Sequence, residues 1–302
     1  MKRDVTDIAA SVHHRLLNIA RETHRPFGEV LQYYAMERFL YRLSCSPDAE
    51  RFILKGALVV LAWHGPATRS TRDIDLLGKI DNSIEHITRV MGEACRQDVI
   101  PDGMNFDAGS IEAEHITELA AYEGVRVRFW GNLGNARVRI QVDIGFGDVV
   151  IPEPQNISYP TIMDLPAPTL KGYTRESVIA EKFEAMVKLG VINSRMKDFY
   201  DIWFLSRWFP FDGMVLARAL RETFAKRETA LPAIPEVLHT SFATGDKETQ
   251  WKAFLHKSNL TDTPRAFAEI HAALAVFLMP VCAASADAQD FHRQWHFPGP
   301  WQ

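Results

Sequence analysis

Two aspartates one residue apart, Asp73 and Asp75, stand directly after the polar run Arg69-Ser70-Thr71-Arg72 and directly before Leu76 and Leu77. Side chains alternate between faces in a strand, so this spacing turns both carboxylates to one side and Ile74 and Leu76 to the other. Alternate strand residues lie about 7 Å apart, a span over which two carboxylates can share bound Mg²⁺ or Mn²⁺. Upstream, Phe52-Ile53-Leu54 runs into Lys55-Gly56-Ala57. A glycine beside a small residue lets backbone approach a phosphate closely. Together the two features suggest chemistry on a nucleoside triphosphate. Asp-x-Asp alone is a weaker signal, since most such pairs are solvated loop acids.

A third carboxylate comes from a strongly alternating segment. Val138, Ile140, Val142 and Ile144 occupy one face, and Arg137, Arg139, Gln141 and Asp143 the other. Nucleotidyl transfer needs such a set, because an attacking hydroxyl loses a proton while pyrophosphate leaves with extra charge. Two divalent ions held by carboxylates stabilise both oxygens of that in-line displacement. Asp73 and Asp75 then hold both ions, and Asp143 holds the one next to the hydroxyl and helps take its proton. The competing reading of Asp143 is an exposed strand acid paired with Arg139. Likewise, Arg126, Arg128, Arg137 and Arg139 form either a solvated sheet surface or a set of contacts to polynucleotide phosphates.

The second half of the chain carries another charged cluster, Glu181-Lys182-Phe183-Glu184 followed by Arg195-Met196-Lys197-Asp198-Phe199-Tyr200-Asp201. Asp198 and Asp201, three apart, share a helix face, and Lys197 precedes Asp201 by four. A surface charge network accounts for this pattern, and so does a buried lysine reaching a triphosphate.

Elements to position these residues follow from periodicity. Residues 5–45 read as two helices separated by Arg25-Pro26-Phe27-Gly28. Asp48 is placed to cap a short connection into a strand at 52–55. A helix follows from Ala57 to His64, ending at Gly65-Pro66. Residues 72–77 are the next strand, and Asn82 to Cys95 is helical. The stretch 123–147 is a hairpin turning at Gly131-Asn132-Leu133-Gly134-Asn135. Five prolines between 151 and 170 indicate an extended connector. Beyond it, Glu176–Leu189, Lys197–Trp208 and 247–279 are helical, and the Trp-, His- and Pro-rich tail from Asp290 has no period. The expected architecture is α/β (α+β): an N-terminal helical segment (1–50), a core with a small mixed sheet (51–165) and a C-terminal helical domain (166–302).

The chain has 302 residues, 47% of them hydrophobic, enough to bury real cores. Its 34 basic and 38 acidic residues leave a net charge of −4, which argues against a generic whole-surface nucleic-acid binder. Cys45, Cys95 and Cys282 are widely spaced and odd in number, so neither a disulfide framework nor a zinc site is expected, and a reducing cytoplasm fits. The N-terminus lacks a signal-peptide apolar stretch, and no apolar run reads as long enough to span a bilayer. A cytoplasmic protein without a membrane partner is the expectation.

Four stretches in order resemble the AbiEii/AbiGii family of nucleotidyltransferase toxins. They are Leu54-Lys55-Gly56-Ala57-Leu58, then Arg69-Ser70-Thr71-Arg72-Asp73-Ile74-Asp75-Leu76, then Val142-Asp143-Ile144-Gly145-Phe146-Gly147. The fourth joins Ala180-Glu181-Lys182-Phe183-Glu184-Ala185 to Arg195-Met196-Lys197-Asp198-Phe199-Tyr200-Asp201-Ile202. Glu37 to Leu43 is a weaker match upstream. The resemblance implies a DNA-polymerase-β-like nucleotidyltransferase core with NTP and Mg²⁺, Asp73 and Asp75 as metal ligands, and Lys182 as a lysine contacting the nucleotide. Asp198 or Asp201 would complete the site. Family members act as growth-inhibiting toxins, some adding nucleotides to tRNA acceptor ends, and are countered by an antitoxin from the same operon.

One departure is Gly56-Ala57 where the superfamily commonly has Gly-Gly or Gly-Ser. Ala57 brings no hydroxyl to a phosphate, a part that Ser70 or Thr71 could fill beside Lys55 and Arg72. Three function classes remain: transfer to RNA, transfer to a protein or a small molecule such as an antibiotic, and nucleotide binding without turnover. The presence of all three carboxylates and Lys182 counts against the last.

Overall fold

Asp7 starts the first helix by accepting a hydrogen bond from the Ala10 amide at 2.9 Å, satisfying one of the donors a helix leaves open. That helix, α1 (Ile8–Glu22), is followed by α2 (Phe27–Cys45), β1 (Phe52–Lys55), α3 (Gly56–His64), β2 (Asp73–Gly78) and α4 (Ile84–Arg96). Then come β3 (Met104–Glu118), β4 (Tyr122–Leu133), β5 (Ala136–Phe146), β6 (Gln155–Ser158) and β7 (Thr169–Gly172). The structure, a computed structural model, describes residues 7–64, 69–118, 122–243, 245–258, 260, 262–287 and 289–302. The helix end expected at Gly65-Pro66 lies outside the described residues.

The chain divides into two compact units. The first comprises the described residues up to Gly147 together with Gln155–Gly172. Its seven strands form one mixed sheet in the order β3-β4-β5-β2-β1-β7-β6. Parallel pairing joins β2 to β5 and β1 to β7, and the other neighbours are antiparallel. One face is apolar: Ile74, Leu76, Val125, Val127, Phe129, Ile140, Val142 and Ile144 are fully buried. Phe39 of α2 packs onto this face, its ring 4.8 Å from that of Phe129. Burying each such side chain contributes about 1.5–3 kcal/mol.

Charged residues of α2 are also buried, each with partners. Arg42 forks onto Asp102 at 2.6 and 3.0 Å and donates to the Met104 carbonyl at 3.0 Å, tying α2 to the start of β3. Arg38 donates to the Pro166 carbonyl at 2.8 Å, and Glu37 accepts from the Ile162 amide at 2.7 Å. Burial pushes the Glu37 carboxyl up to about 7 against the pull of Arg38. These bonds bind α2 into the same unit as the sheet.

Three local expectations need correction. The proline-rich connector contains β6 and β7, because its prolines at 152, 154, 160, 166 and 168 all fall outside the two four-residue ladders. Strand β3 has no counterpart among the predicted elements: its polar run Asp107-Ala108-Gly109-Ser110 spans a register shift, and its Glu112 and Glu114 are exposed. Asp48 does not cap the following turn but pairs with Arg51 at 3.2 Å.

The second unit takes in Asp148–Pro154 and the described residues from Tyr173 onward. It contains α5 (Arg175–Leu189), α6 (Met196–Trp208), β8 (Phe211–Asp212), α7 (Gly213–Lys226), α8 (Asp246–Ser258), α9 (Phe267–Ala286) and β9 (Gln294–Trp295). Thr174 caps α5 by accepting from the Ser177 amide, and Gly190, at φ 53, ends it. The aperiodic tail is packed: Trp295 and Trp301 donate their indole N–H to the Ser206 and Phe277 carbonyls at 2.7 and 2.8 Å. By length and composition α9 could cross a bilayer, contrary to the sequence expectation. Its Phe267, Ile270, Leu274, Phe277, Leu278 and Val281 are fully buried in the unit.

Candidate active site

Two adjacent strands, β2 and β5, bring the aspartates together, and β1 flanks them. β1 runs antiparallel to β2 with Lys55 opposite Asp75, and β2 runs parallel to β5 with Asp75 beside Asp143 and Asp73 beside Gln141. Ile74, Leu76, Val142 and Ile144 turn to the core, so Asp73, Asp75 and Asp143 share the opposite, half-buried face.

Gly56 shapes the same spot. Its φ of +68 is the left-handed region that favours glycine, and a Cβ there would lie 2.0 Å from Asp75 Oδ2 and 2.7 Å from its Cγ. Only a residue without a side chain leaves this carboxylate its place. Oxygen donors on one face, with room kept open for Asp75, suit a hard cation such as Mg²⁺ or Mn²⁺. The donor set therefore fits the ion that the sequence implies. Among the described residues, no group of three or more His, Cys, Asp or Glu side chains is already placed to hold a metal ion.

Asp143 turns both oxygens to Arg126, whose Nε and Nη2 donate at 2.8 and 2.7 Å, and Gln141 adds a bond of 3.2 Å to Oδ2. These bonds hold the Arg126 guanidinium above its ordinary pKa, with the nearby charge of Asp73 adding to the effect. The pairing with Arg139, the competing reading from sequence, is not formed. Residues four apart along a strand are about 13 Å apart, whereas a cross-strand neighbour sits within about 5.5 Å.

Residues leading into β2 are held by α2. The Thr71 amide donates to the Tyr33 hydroxyl at 2.9 Å. Gln32 donates to the Arg72 carbonyl at 3.2 Å and the Arg139 carbonyl at 3.3 Å, clipping the approach to β2 onto β5. Ser70 and Arg72 are exposed, Thr71 and Lys55 half-buried, and Ala57 buried. No spacing in the sequence singles out Gln32 or Tyr33, which are embedded in a helix that is buried almost all round.

The arginine face is largely matched by the unexpected strand β3. Arg128 bonds Glu114 at 2.8 Å and Gln141 at 3.1 Å, and Arg139 pairs with Glu112. Arg137 and Arg139 also lie over the Trp130 ring, 4.0 and 5.2 Å from its centre. Acidic partners therefore offset much of the positive charge apparent in sequence.

In the second unit, Lys182 of α5 reaches both aspartates of α6, Asp198 Oδ1 at 3.2 Å and Asp201 Oδ2 at 2.6 Å. Arg195 adds a 2.7 Å bond to Asp198 Oδ2. Lys182 is 12% exposed and the aspartates 0% and 3%, so this is a buried network and not the surface one weighed from sequence. Lys197 is exposed. Glu181 and Glu184 point elsewhere, to Arg227, which also pairs with Asp148 at 2.9 Å. Burial works against that arginine's charge, but Glu181 and Asp148 hold its pKa above the usual value.

Residues 38–273 match the family described as Nucleotidyl transferase AbiEii toxin, Type IV TA system. Among solved structures, a chain from H. pylori described as a "putative nucleotidyltransferase" is 14% identical with a TM-score of 0.47, the match covering 87% of this chain and 98% of that one. JHP933 from Helicobacter pylori is also 14% identical, with a TM-score of 0.43 and coverage of 94% and 96%. Comparison of the sequence with curated proteins finds no match.

Proposed function

Because the chain belongs to the AbiEii family of nucleotidyl transferase toxins, in the type IV toxin–antitoxin class, we propose that it transfers nucleotides from an NTP to an RNA acceptor, tRNA first among the candidates, in a Mg²⁺-dependent reaction. The observation that carries this reading is the register setting Asp75 beside Asp143, with Gly56 yielding space to the Asp75 carboxylate. Asp73, Asp75 and Asp143 supply the metal ligands. Bound there, divalent ions supply charge stabilisation to the attacking and departing oxygens.

The chain's own residues do the remainder. Asp143 accepts the proton of the attacking hydroxyl. Gly56 and Ala57, opening α3, present backbone amides to phosphate, with Lys55, Ser70, Thr71 and Arg72 around them. In the helical unit, the family resemblance supports a nucleotide role for Lys182, with Asp198 and Asp201 orienting its ammonium. Arg126, Arg128, Arg137 and Arg139 are the candidates for acceptor phosphates. The toxin–antitoxin class implies a cognate antitoxin, and the reaction belongs to the cytoplasm where tRNA and NTPs are found.

The test is incubation with total tRNA, Mg²⁺ and each labelled NTP in turn. Label is expected on RNA, and Asp73→Ala or Asp75→Ala should lower it roughly a thousandfold or more, the scale of several kcal/mol of lost charge stabilisation. Turnover within tenfold of wild type in either variant refutes the site. Label on an added protein or small molecule such as an antibiotic, with none on RNA, replaces the acceptor.

A further inference from the structure

We propose that Arg126 stands in for a cation at Asp143, so that its guanidinium and a divalent ion compete for that one carboxylate. This rests on the transfer reading above and adds a control on it. Arg126 lies directly across from Asp143 in the β4–β5 register, and Asp143 lies beside Asp75 in the β2–β5 register. Two N–H groups grip both carboxylate oxygens, 2.8 and 2.7 Å away. A divalent ion binding Asp143 seeks the same oxygens, and a +1 group left beside a +2 ion repels it.

Arg126 differs from its neighbours in this. Arg128 and Arg139 are matched by Glu114 and Glu112 of β3, outside the carboxylate set, whereas Arg126 is matched by a member of the set. The pair is not sealed from water. Arg126 is 28% and Asp143 13% exposed, so a released guanidinium can turn to water, which a pair as buried as Lys182–Asp198 does not permit. Once released, the fork becomes a phosphate-binding group on the same face of the sheet. Arg126 therefore sets the cation affinity of Asp143 in the resting protein and is freed when that cation arrives.

Titration of the full chain with Mn²⁺ alone, free Mn²⁺ being read by its electron paramagnetic resonance signal, tests this. Arg126→Gln should bind Mn²⁺ roughly tenfold tighter than wild type, the equivalent of losing one partly exposed pair and its repulsion. Arg126→Lys should fall between, keeping charge without the fork. In an Asp143→Asn background the gain from Arg126→Gln should vanish. Equal affinity in wild type and Arg126→Gln overturns the inference, as does a gain that survives Asp143→Asn. Should wild type bind through Asp143 and Arg126→Gln bind no tighter, only this inference falls. Should no form bind Mn²⁺, the transfer reading falls with it. If Arg126→Gln does not fold, the Arg126 Nε resonance of ¹⁵N-labelled wild type decides: it should shift on adding Mg²⁺, and an unmoved resonance at saturating Mg²⁺ overturns the inference.

Discussion

Replacing Gly56 with alanine adds one methyl group at the most constrained point of the candidate site. Two costs follow from the geometry. A left-handed φ of +68 penalises any residue with a Cβ by about 1–2 kcal/mol, partly offset by the lower entropy of the unfolded chain. The new Cβ would lie 2.0 Å from Asp75 Oδ2 and 2.9 Å from Asp75 Cβ, so the carboxylate must move by more than about 1 Å to reach van der Waals distance. The half-buried Asp75 carboxylate can turn away, but its Cβ cannot, so the β1–β2 backbone must also shift by a few tenths of an ångström. Stability should therefore fall by about 2–4 kcal/mol, several degrees in Tm. Activity of the folded protein should fall by about a hundredfold, since misplacing a reacting group by about 1 Å costs that much. The assay is pyrophosphate release in Mg²⁺ with each of the four NTPs, run beside thermal melts of Gly56→Ala, Asp75→Asn and the double variant. If Gly56 acts by leaving Asp75 its place, the double variant is no slower than Asp75→Asn alone. A folded Gly56→Ala protein within threefold of wild-type rate, or a double variant slower by the full product of the single effects, refutes the reasoning.

Lys182→Ala should cost about 3 kcal/mol or more in a denaturant titration, because it removes an ammonium that two buried carboxylates contact. A loss below about 1 kcal/mol would mean the network is solvated, and only Lys182→Arg, with its charge retained, separates a nucleotide role from this structural one. Glu37 predicts a pH dependence. Its folded carboxyl sits at about 7 because of burial, above its value in an unfolded chain, so the native state binds the extra proton and stability falls as pH rises from about 4.5 to 7. The contribution is up to about 3 kcal/mol, and Glu37→Gln should flatten that part of the stability–pH curve. An unchanged slope in the variant would assign the dependence to other groups.

Periodicity by itself determined which face each candidate residue occupies. Alternation in β2 and β5 put Asp73, Asp75 and Asp143 opposite the apolar core, and the three-residue spacing put Asp198 and Asp201 on one helical face. Such patterns are local, since one strand or helix suffices to impose them. Which elements become neighbours is not local. One of the two readings of Asp143 open from sequence paired it with Arg139, yet the sheet brings Arg126 there, because cross-strand partners are nearer than residues two steps along the same face. Strand β3 had too polar a pattern to be recognised, and it supplies the glutamates that offset the arginine face. Without those glutamates the surface counts as more basic than it is. Gln32, Tyr33 and the match of Lys182 to both aspartates of α6 likewise arise only when helices pack. Gly56 belongs to both levels: its position after β1 marked a turn, but only the tertiary register of Lys55 with Asp75 brings the Asp75 carboxylate into the space its missing side chain leaves.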